Sequence, residues 1–192
     1  MNMNRVTVVG GGQMGRALVG GMLASKVLSP ENAQIVELSP ESRAWWKENH
    51  PAVGMTDDLV SGVETADAVI LAIKPNVLPE VADQSTDRWA GKLMISIAAG
   101  ISMSKLCGWI GHRRVVRVMP NTPSLVGEGA SAFCIGADVT DDDTQAIESM
   151  LGSVGLAVQV SESQMDAVTG LSGSGPAYVC ECFDHQADVR GP

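Results

Sequence analysis

The chain has few cysteines, few basic residues and no long apolar run, and each scarcity excludes a class of protein. Four cysteines among 192 residues stand at irregular positions, so neither the disulfide framework of a secreted protein nor paired zinc-ligand spacing is indicated. Only 13 lysines and arginines accompany 22 acidic residues, which gives a formal net charge of −9. Nucleic acid and anionic membranes are therefore not expected as partners, because both require a concentrated basic surface.

Targeting signals are also absent from the sequence pattern. No apolar run approaches about 18 residues, so no membrane span is predicted. A single arginine, Arg5, precedes the first apolar run, and nothing there resembles the apolar core of a signal peptide. We therefore expect a cytoplasmic protein that acts on a small molecule. The 45% hydrophobic content suffices for one sizeable core, or for one domain with part of another.

The most informative segment is a glycine-rich turn between a predicted strand and a predicted helix. The apolar run Val6–Val9 leads into Gly-Gly-Gly-Gln-Met-Gly at residues 10–15, a Gly-x-Gly-x-x-Gly pattern. Gly10 permits a tight turn, Gly12 lets the backbone approach a pyrophosphate, and Gly15 lets the helix pack closely on the strand. The N–H groups and dipole of the following helix would favour an anion. The segment predicts a dinucleotide-binding loop; the alternative is an ordinary glycine-rich turn.

Further along, short apolar runs alternate with helical or capped segments, the pattern of a Rossmann-like, doubly wound α/β fold with a mainly parallel sheet. Strands are predicted at Val6–Val9, Ala33–Leu38, Ala68–Ile73, Leu93–Ala98, Val115–Met119, Ala130–Ile135 and Leu156–Val160. Helices are predicted after the glycine turn and at Pro40–Asn49, Ser102–Ile110 and Asp141–Leu151. We predict that the dinucleotide-binding domain covers residues 1–160 and that residues 161–192 begin a second, helical domain.

Two features after the second predicted strand bear on the choice between NAD and NADP. Glu37 lies about 20 residues past the glycines, where an acid would hold the ribose 2′-hydroxyl of NAD. Ser39, together with the start of the next helix, could receive the 2′-phosphate of NADP, aided by Arg43. A serine that caps a helix also lies where an anion would bind, so the two interpretations of Ser39 are compatible. The sequence favours NADP and leaves NAD open.

Three further segments follow predicted strands at the edge where ligands bind in open α/β sheets. Lys74 and Pro75 end the third apolar run, and a charged residue there can meet a ligand or simply be solvated. The small residues of Ser96–Gly100 could let a ring lie against the backbone, or could serve close helix packing. The loop Met119–Pro123 holds Asn121 between two prolines, which makes it either a rigid ligand-facing loop or a plain turn.

These segments occur in the order seen in one enzyme family. The sequence resembles the pyrroline-5-carboxylate reductases in five blocks: Val9–Gly15, Ala72–Pro75, Ser96–Gly100, Met119–Pro123 and Asp166–Val179. The last block is the most specific, because Gly-x-Gly-x-x-Gly turns occur in many dehydrogenases. The resemblance covers the chain from Val6 to Val179.

The resemblance implies reduction of the C=N bond of 1-pyrroline-5-carboxylate to L-proline, a step of proline biosynthesis, with hydride from NADPH or alternatively NADH. It implies a cofactor-binding set of Val9, Gly10, Gly11, Gly12, Gln13, Met14, Gly15, Ser39, Pro40, Ala72, Ile73, Lys74, Pro75, Ile97, Ala98, Ala99 and Asn121. The expected substrate-binding residues are Ser174, Gly175 and Pro176. No catalytic residue is assigned, since an imine needs little beyond protonation, alignment with the nicotinamide and exclusion of water.

The end of the chain departs from the family pattern. Family members continue into an all-helical domain that forms an intertwined homodimer and carries a Pro-Gly-Gly-Thr segment that contacts the substrate. After Val179 the sequence loses helical periodicity, so we expect a truncated or divergent second domain. Two alternatives to the reductase therefore stay open: a dinucleotide-binding module with impaired catalysis, and another NADP-dependent reductase with a Rossmann fold. Cys180, Cys182 and His185 could suggest a metal site, but no metal is expected.

Overall fold

The computed structural model of the protein describes residues 4–84 and 86–180. Within them, eight strands form one sheet: β1 (Val6–Val9), β2 (Ala33–Val36), β3 (Gly54–Thr56), β4 (Ala68–Leu71), β5 (Leu93–Ser96), β6 (Val115–Met119), β7 (Gly129–Ile135) and β8 (Gly155–Gln159). The strand order is β3-β2-β1-β4-β5-β6-β7-β8, and β6 and β7 form an antiparallel pair in an otherwise parallel sheet. The predicted doubly wound, mainly parallel sheet is confirmed.

Helices cover both faces of this sheet. They are α1 (Gln13–Ala24), α2 (Pro40–Asn49), α3 (Leu59–Val63), α4 (Leu78–Gln84), α5 (Met103–Ile110), α6 (Asp141–Gly152) and α7 (Met165–Val168). A π-helical turn, Thr169–Gly173, follows α7, and residues 175–180 are helical. In the described part of the chain, no helix has the length and apolar character needed to cross a membrane. The cytoplasmic location stays a prediction.

Two apolar layers explain why the central strands have continuous apolar sequences. Val8 of β1 faces one layer, where it packs with Leu18 of α1 and Trp46 of α2. Val9, the next residue, faces the other layer, which contains Leu78 of α4. All of these side chains are buried. A strand covered on both faces buries every side chain, so the alternation typical of a half-exposed strand is lost.

The carboxyl ends of four strands differ from the predictions. The strands β2, β4, β5 and β8 end at Val36, Leu71, Ser96 and Gln159, whereas the predicted strands end at Leu38, Ile73, Ala98 and Val160. After β4 and β5, the last two apolar or small residues of the predicted strand lie in a loop at the carboxyl edge of the sheet, and after β2 the two residues in the loop are Glu37 and Leu38. The strand β3 was not predicted, because its three residues lie at the sheet edge and form no apolar run.

The helix starts agree better with the sequence, because capping residues mark them. The helix α2 covers the predicted residues: the hydroxyl of Ser39 accepts a hydrogen bond from the Ser42 N–H, and Pro40 occupies the first turn. At α6, Thr140 and Asp143 form a capping box in which each side chain accepts the other residue's backbone N–H. These caps determine the residue at which each helix begins.

Candidate functional site

The glycine turn joins β1 to α1 at the carboxyl edge of the sheet. Gly10 has a φ of +100°, and a Cβ at this position would collide with the carbonyl group of Ala72. A Cβ on Gly15 would collide with the Gly10 carbonyl oxygen, so α1 packs directly against the turn. Gly12 differs from both, because a Cβ there would meet nothing within 4 Å. The turn and the close packing therefore need Gly10 and Gly15, whereas Gly12 faces open space.

The N-terminal end of α1 is available to bind an anion. Among the described residues, no side chain caps this helix, and its first turn contains no acidic residue. The first N–H groups of a helix have no intrahelical partner, and they lie at the positive end of its dipole. The arrangement suits an anion that approaches over Gly12.

The backbone N–H and C=O groups of Gly11 are held by four side chains from neighbouring elements. The carbonyl oxygen accepts hydrogen bonds from Ser42 Oγ at 2.8 Å, Trp46 Nε1 at 2.9 Å and Arg16 Nε at 3.3 Å. The N–H donates to Glu37 Oε2 at 2.8 Å. These bonds restrict the peptide groups on both sides of Gly11, so α2 and the loop after β2 hold the glycine turn in one conformation.

The loop after β2 is arranged around the carboxylate of Glu37. One oxygen accepts the Gly11 N–H, and the other accepts the Ser39 N–H at 2.8 Å. Arg43 donates to the carbonyl oxygens of Glu37 and Leu38, at 2.9 and 3.0 Å. Its guanidinium also lies 3.3 Å from the carboxylate of Asp57. The Ser39 N–H and Nη1 of Arg43, two groups that could bind a phosphate here, are therefore already bonded to other protein groups.

A cavity of about 380 Å³, here called the acidic cavity, lies beside this loop. Its described lining is Val9, Gly10, Val36, Glu37, Leu38, Asp57, Asp58, Leu59, Val60, Ile73, Val77, Glu80, Val81 and Gln84. This lining combines an apolar surface with four carboxylates, and none of its described residues is basic. Hydrogen bonds from Ser61 hold the pKa of Asp58 below its ordinary value, so this carboxylate is charged at neutral pH.

A second cavity of about 300 Å³, here called the apolar cavity, lies on the α1 side of the glycine turn. It brings together four segments that the sequence singled out separately, and it is lined by Met14, Ala72, Ile73, Lys74, Pro75, Ile97, Ala98, Ala99, Met119 and Pro120. Ile73 lines both cavities, so the two cavities lie next to each other beside the glycine turn.

The apolar cavity offers little acid–base chemistry of its own. Lys74 is the one titratable side chain among its described lining residues, and it is exposed. Burial raises the pKa of the thiols of Cys107 and Cys134, so neither provides a thiolate at neutral pH. The cavity can therefore bind and shield a small ring, but its walls contain no nucleophile paired with a base.

Asn121 connects the loop after β6 to the C-terminal segment. Its Oδ1 accepts the Ala130 N–H at 2.8 Å, and its Nδ2 donates to Ser172 Oγ at 3.3 Å. Asn121 is buried, and its neighbour Pro120 lines the apolar cavity instead. The side chain thus holds the loop in place, a role that the sequence did not indicate.

The segment around Ser174 also lies close to this loop. A Cβ on Gly173 would collide with the side chain of Met119, which lines the apolar cavity. Ser174, Gly175 and Pro176 are half-buried and follow directly. Cys180 is exposed, whereas Cys182 and His185 lie outside the described residues. In the part that the structure describes, no group of three potential metal ligands comes together.

The sequence missed the side chains that orient the glycine turn. Trp46, Ser42 and Arg16 show no motif, because their function depends on how α2 packs against the turn. The sequence contains one weak signal, because Trp46 is among the few apolar residues of the polar helix α2. In the structure, this side chain is fully buried.

Comparison with known proteins places this site in context. A family model described as "NADP oxidoreductase coenzyme F420-dependent" matches residues 5–100, and one described as "Pyrroline-5-carboxylate reductase dimerisation" matches residues 162–190. The second match extends beyond Val179, where the resemblance was expected to end. Together with the Rossmann-like sheet and its glycine turn, the matches define a nicotinamide-dependent oxidoreductase.

Individual relatives specify the family. A pyrroline-5-carboxylate reductase from Methanosarcina acetivorans is 38% identical over 193 residues, which cover 98% of this chain and 70% of the relative. The structure of a pyrroline-5-carboxylate reductase from Coxiella burnetii matches with a TM-score of 0.90 and 34% identity, over 99% of this chain and 72% of that one. The chain belongs to the pyrroline-5-carboxylate reductase family, as the resemblance implied.

A third comparison concerns the cofactor. A Plasmodium falciparum pyrroline carboxylate reductase, solved with NADP bound, matches with a TM-score of 0.87 and 28% identity, over 100% of this chain and 71% of that one. This relative and the NADP oxidoreductase model support a nicotinamide cofactor for the family fold.

Proposed function

We propose that this chain reduces the C=N bond of 1-pyrroline-5-carboxylate to L-proline, with hydride from a nicotinamide dinucleotide. The observation that carries the proposal is the apolar cavity, where the segments Ala72–Pro75, Ile97–Ala99 and Met119–Pro120 meet beside the glycine turn. Family membership supplies the substrate class, since the relatives are named for this reduction.

The residues along the two cavities fit a dinucleotide. Open space over Gly12 and the uncapped start of α1 would accommodate the pyrophosphate, with residues 9–15 along it. The acidic cavity would hold the adenosine half, next to Ser39 and Pro40. Residues 72–75 and 97–99 would surround the nicotinamide half, with Asn121 fixing the adjacent loop.

When bound, the reduced nicotinamide supplies the hydride for the imine carbon. The chain's own contribution is to bind, orient and shield. The apolar side chains of Met14, Ile97 and Met119 exclude water from the reacting ring, and the rigid glycine turn keeps the donor aligned. The exposed ammonium of Lys74 at the cavity wall offers a positive charge for the substrate carboxylate. We propose Ser174, Gly175 and Pro176 as further substrate contacts.

Two further parts of the sequence-based interpretation belong to the proposal. We propose that residues 1–160 form the dinucleotide-binding domain and that residues 161–192 belong to the dimerisation domain. The family match over residues 162–190 supports this division. The same match supports a homo-oligomer.

The test is turnover by the purified 192-residue chain with 1-pyrroline-5-carboxylate and either NADPH or NADH. We expect cofactor oxidation that depends on the substrate, and proline as the product. Dinucleotide binding without turnover would instead support a binding module with impaired catalysis. Oxidation that depends on a hydroxy acid or another substrate, without proline formation, would support a different reductase with the same fold.

A further inference from the structure

We infer that Glu37 makes this chain prefer NADH to NADPH, because its carboxylate occupies the backbone N–H groups to which a 2′-phosphate would otherwise bind. The inference deepens the proposed function and rests on the dinucleotide site proposed there. It differs from the expectation drawn from the sequence alone, which favoured NADPH on account of Ser39 and Arg43.

The carboxylate of Glu37 lies between the glycine turn and the start of α2. Glu37 is half-buried, and its two oxygens accept the N–H groups of Gly11 and Ser39 at 2.8 Å each. One of these groups belongs to the glycine turn and the other to the start of α2, so the carboxylate bridges the two elements. Two charge-assisted hydrogen bonds fix it there. A ribose 2′-hydroxyl can donate a hydrogen bond to this carboxylate, whereas a 2′-phosphate would be repelled by it.

Arg43 and Ser39 are the two residues from which the sequence predicted phosphate binding. Arg43 donates through Nη1 to two carbonyl oxygens, and the same atom pairs with Asp57 at 3.3 Å. The hydroxyl of Ser39 accepts the Ser42 N–H as the cap of α2. Among the described residues, no hydrogen bond uses the hydroxyl proton of Ser39 or Nη2 of Arg43, so both groups could still bind a phosphate. The preference for NADH therefore depends on the position of the Glu37 carboxylate and on the charge around it.

The surroundings of Glu37 are acidic. Besides Glu37, the acidic cavity is lined by Asp57, Asp58 and Glu80, and its described lining contains no basic side chain. A dianionic phosphate that enters this region meets a negative potential, whereas an uncharged hydroxyl does not. The position of the Glu37 carboxylate and the charge around it therefore favour the same dinucleotide, NADH.

The experiment compares Kd and kcat/KM for NADH and NADPH in the wild-type chain and in Glu37→Gln and Glu37→Ser. Both Kd values are measured by quenching of tryptophan fluorescence, without substrate. We expect the wild type to prefer NADH. Each substitution should shift the NADH-to-NADPH ratio towards NADPH by more than about 100-fold, the size expected for removing one charge about 5 Å from a phosphate at an effective dielectric constant near 20. Glu48→Gln, an equal change of charge at an exposed position of α2, should leave the ratio unchanged.

The outcomes separate this inference from the proposed function. If the wild-type chain prefers NADPH, the inference is wrong. This test needs only the wild-type chain, so it holds even if neither variant folds. Unchanged ratios in folded variants would also overturn the inference. A shifted ratio of Kd values in a chain that does not reduce 1-pyrroline-5-carboxylate would support the inference and reject the proposed reaction. Failure to bind either dinucleotide would overturn both.

Discussion

Gly12 allows a direct test of the glycine turn, because its substitution should affect the ligand and not the fold. Its φ of −73° is accessible to any L-residue, and a Cβ would meet no protein atom within 4 Å. Gly12→Ala and Gly12→Asp should therefore fold with nearly wild-type stability. The same does not hold for Gly10 and Gly15, where a Cβ would collide with backbone. A loss of binding in those variants could reflect a distorted turn.

The expected loss of affinity follows from the groups that face Gly12. If the methyl group of Gly12→Ala prevents one backbone hydrogen bond to a pyrophosphate oxygen, the cost is about 2 kcal/mol, or about 30-fold in Kd. Gly12→Asp adds a negative charge. At about 5 Å and an effective dielectric constant near 20, each unit of phosphate charge costs about 3 kcal/mol more. We therefore expect binding of Gly12→Asp to be weakened by more than about 1000-fold.

The assay is isothermal titration of NADH and of NADPH into each variant, with thermal unfolding measured in parallel. Gly20→Ala is the matched control, because Gly20 lies within α1 and a Cβ there also meets nothing within 4 Å. This control should bind both dinucleotides like the wild type and gain about 0.5–1 kcal/mol in stability. If Gly12→Asp folds and binds either dinucleotide within about threefold of the wild type, the glycine turn is not the pyrophosphate site.

Two further predictions concern Trp46, which holds the glycine turn, and the buried pair of Arg114 and Asp143, which stabilises the fold. Trp46→Phe removes one of three donors to the Gly11 carbonyl and leaves a small cavity. We expect the free energy of unfolding, measured with denaturant, to fall by about 2 kcal/mol, and the KM for the dinucleotide to rise with kcat nearly unchanged. An unchanged KM would show that the turn does not need this bond. Asp143→Asn breaks the ion pair between Arg114 and a carboxylate that is only 1% exposed. We expect the free energy of unfolding, measured with urea at neutral pH, to fall by about 2–3 kcal/mol. Hydrogen bonds from Arg114 lower the pKa of Asp143, so its stabilisation is complete above the ordinary carboxyl pKa of about 4 and is lost as the pH falls through the lower folded value. The stability of Asp143→Asn should consequently fall less steeply than that of the wild type in this acid range, and parallel curves would contradict the assignment.

Much of the fold could be predicted because local sequence signals coincide with its elements. The run Val115–Met119 and the helix Pro40–Asn49 have the predicted bounds, since an apolar run and a capping serine mark them directly. The predicted strand ends failed where apolar residues continue into the loops that line the cavities, as at Ile73. An apolar residue buried in a sheet and one that lines a cavity look alike in sequence.

The candidate site could be predicted only in part, for a similar reason. The glycine turn and the segments after β4, β5 and β6 were indicated because each follows a strand at its carboxyl end. The bonds from Trp46 and Ser42 to Gly11 arise from the packing of α2, which no local pattern encodes. Glu37 was recognised as a candidate ligand of the ribose, but the two N–H groups that hold it became apparent only from the structure.

The most direct test of the account follows the hydride itself. The 192-residue chain would be incubated with 1-pyrroline-5-carboxylate and a nicotinamide dinucleotide that carries deuterium at C4, on each face of the ring in turn, and the proline isolated for mass spectrometry. The account predicts that one of the two labelled cofactors yields proline with a single deuterium on its δ carbon, the former imine carbon. No proline, or proline without deuterium from either cofactor, would contradict the claim that this chain transfers hydride from a nicotinamide to the imine.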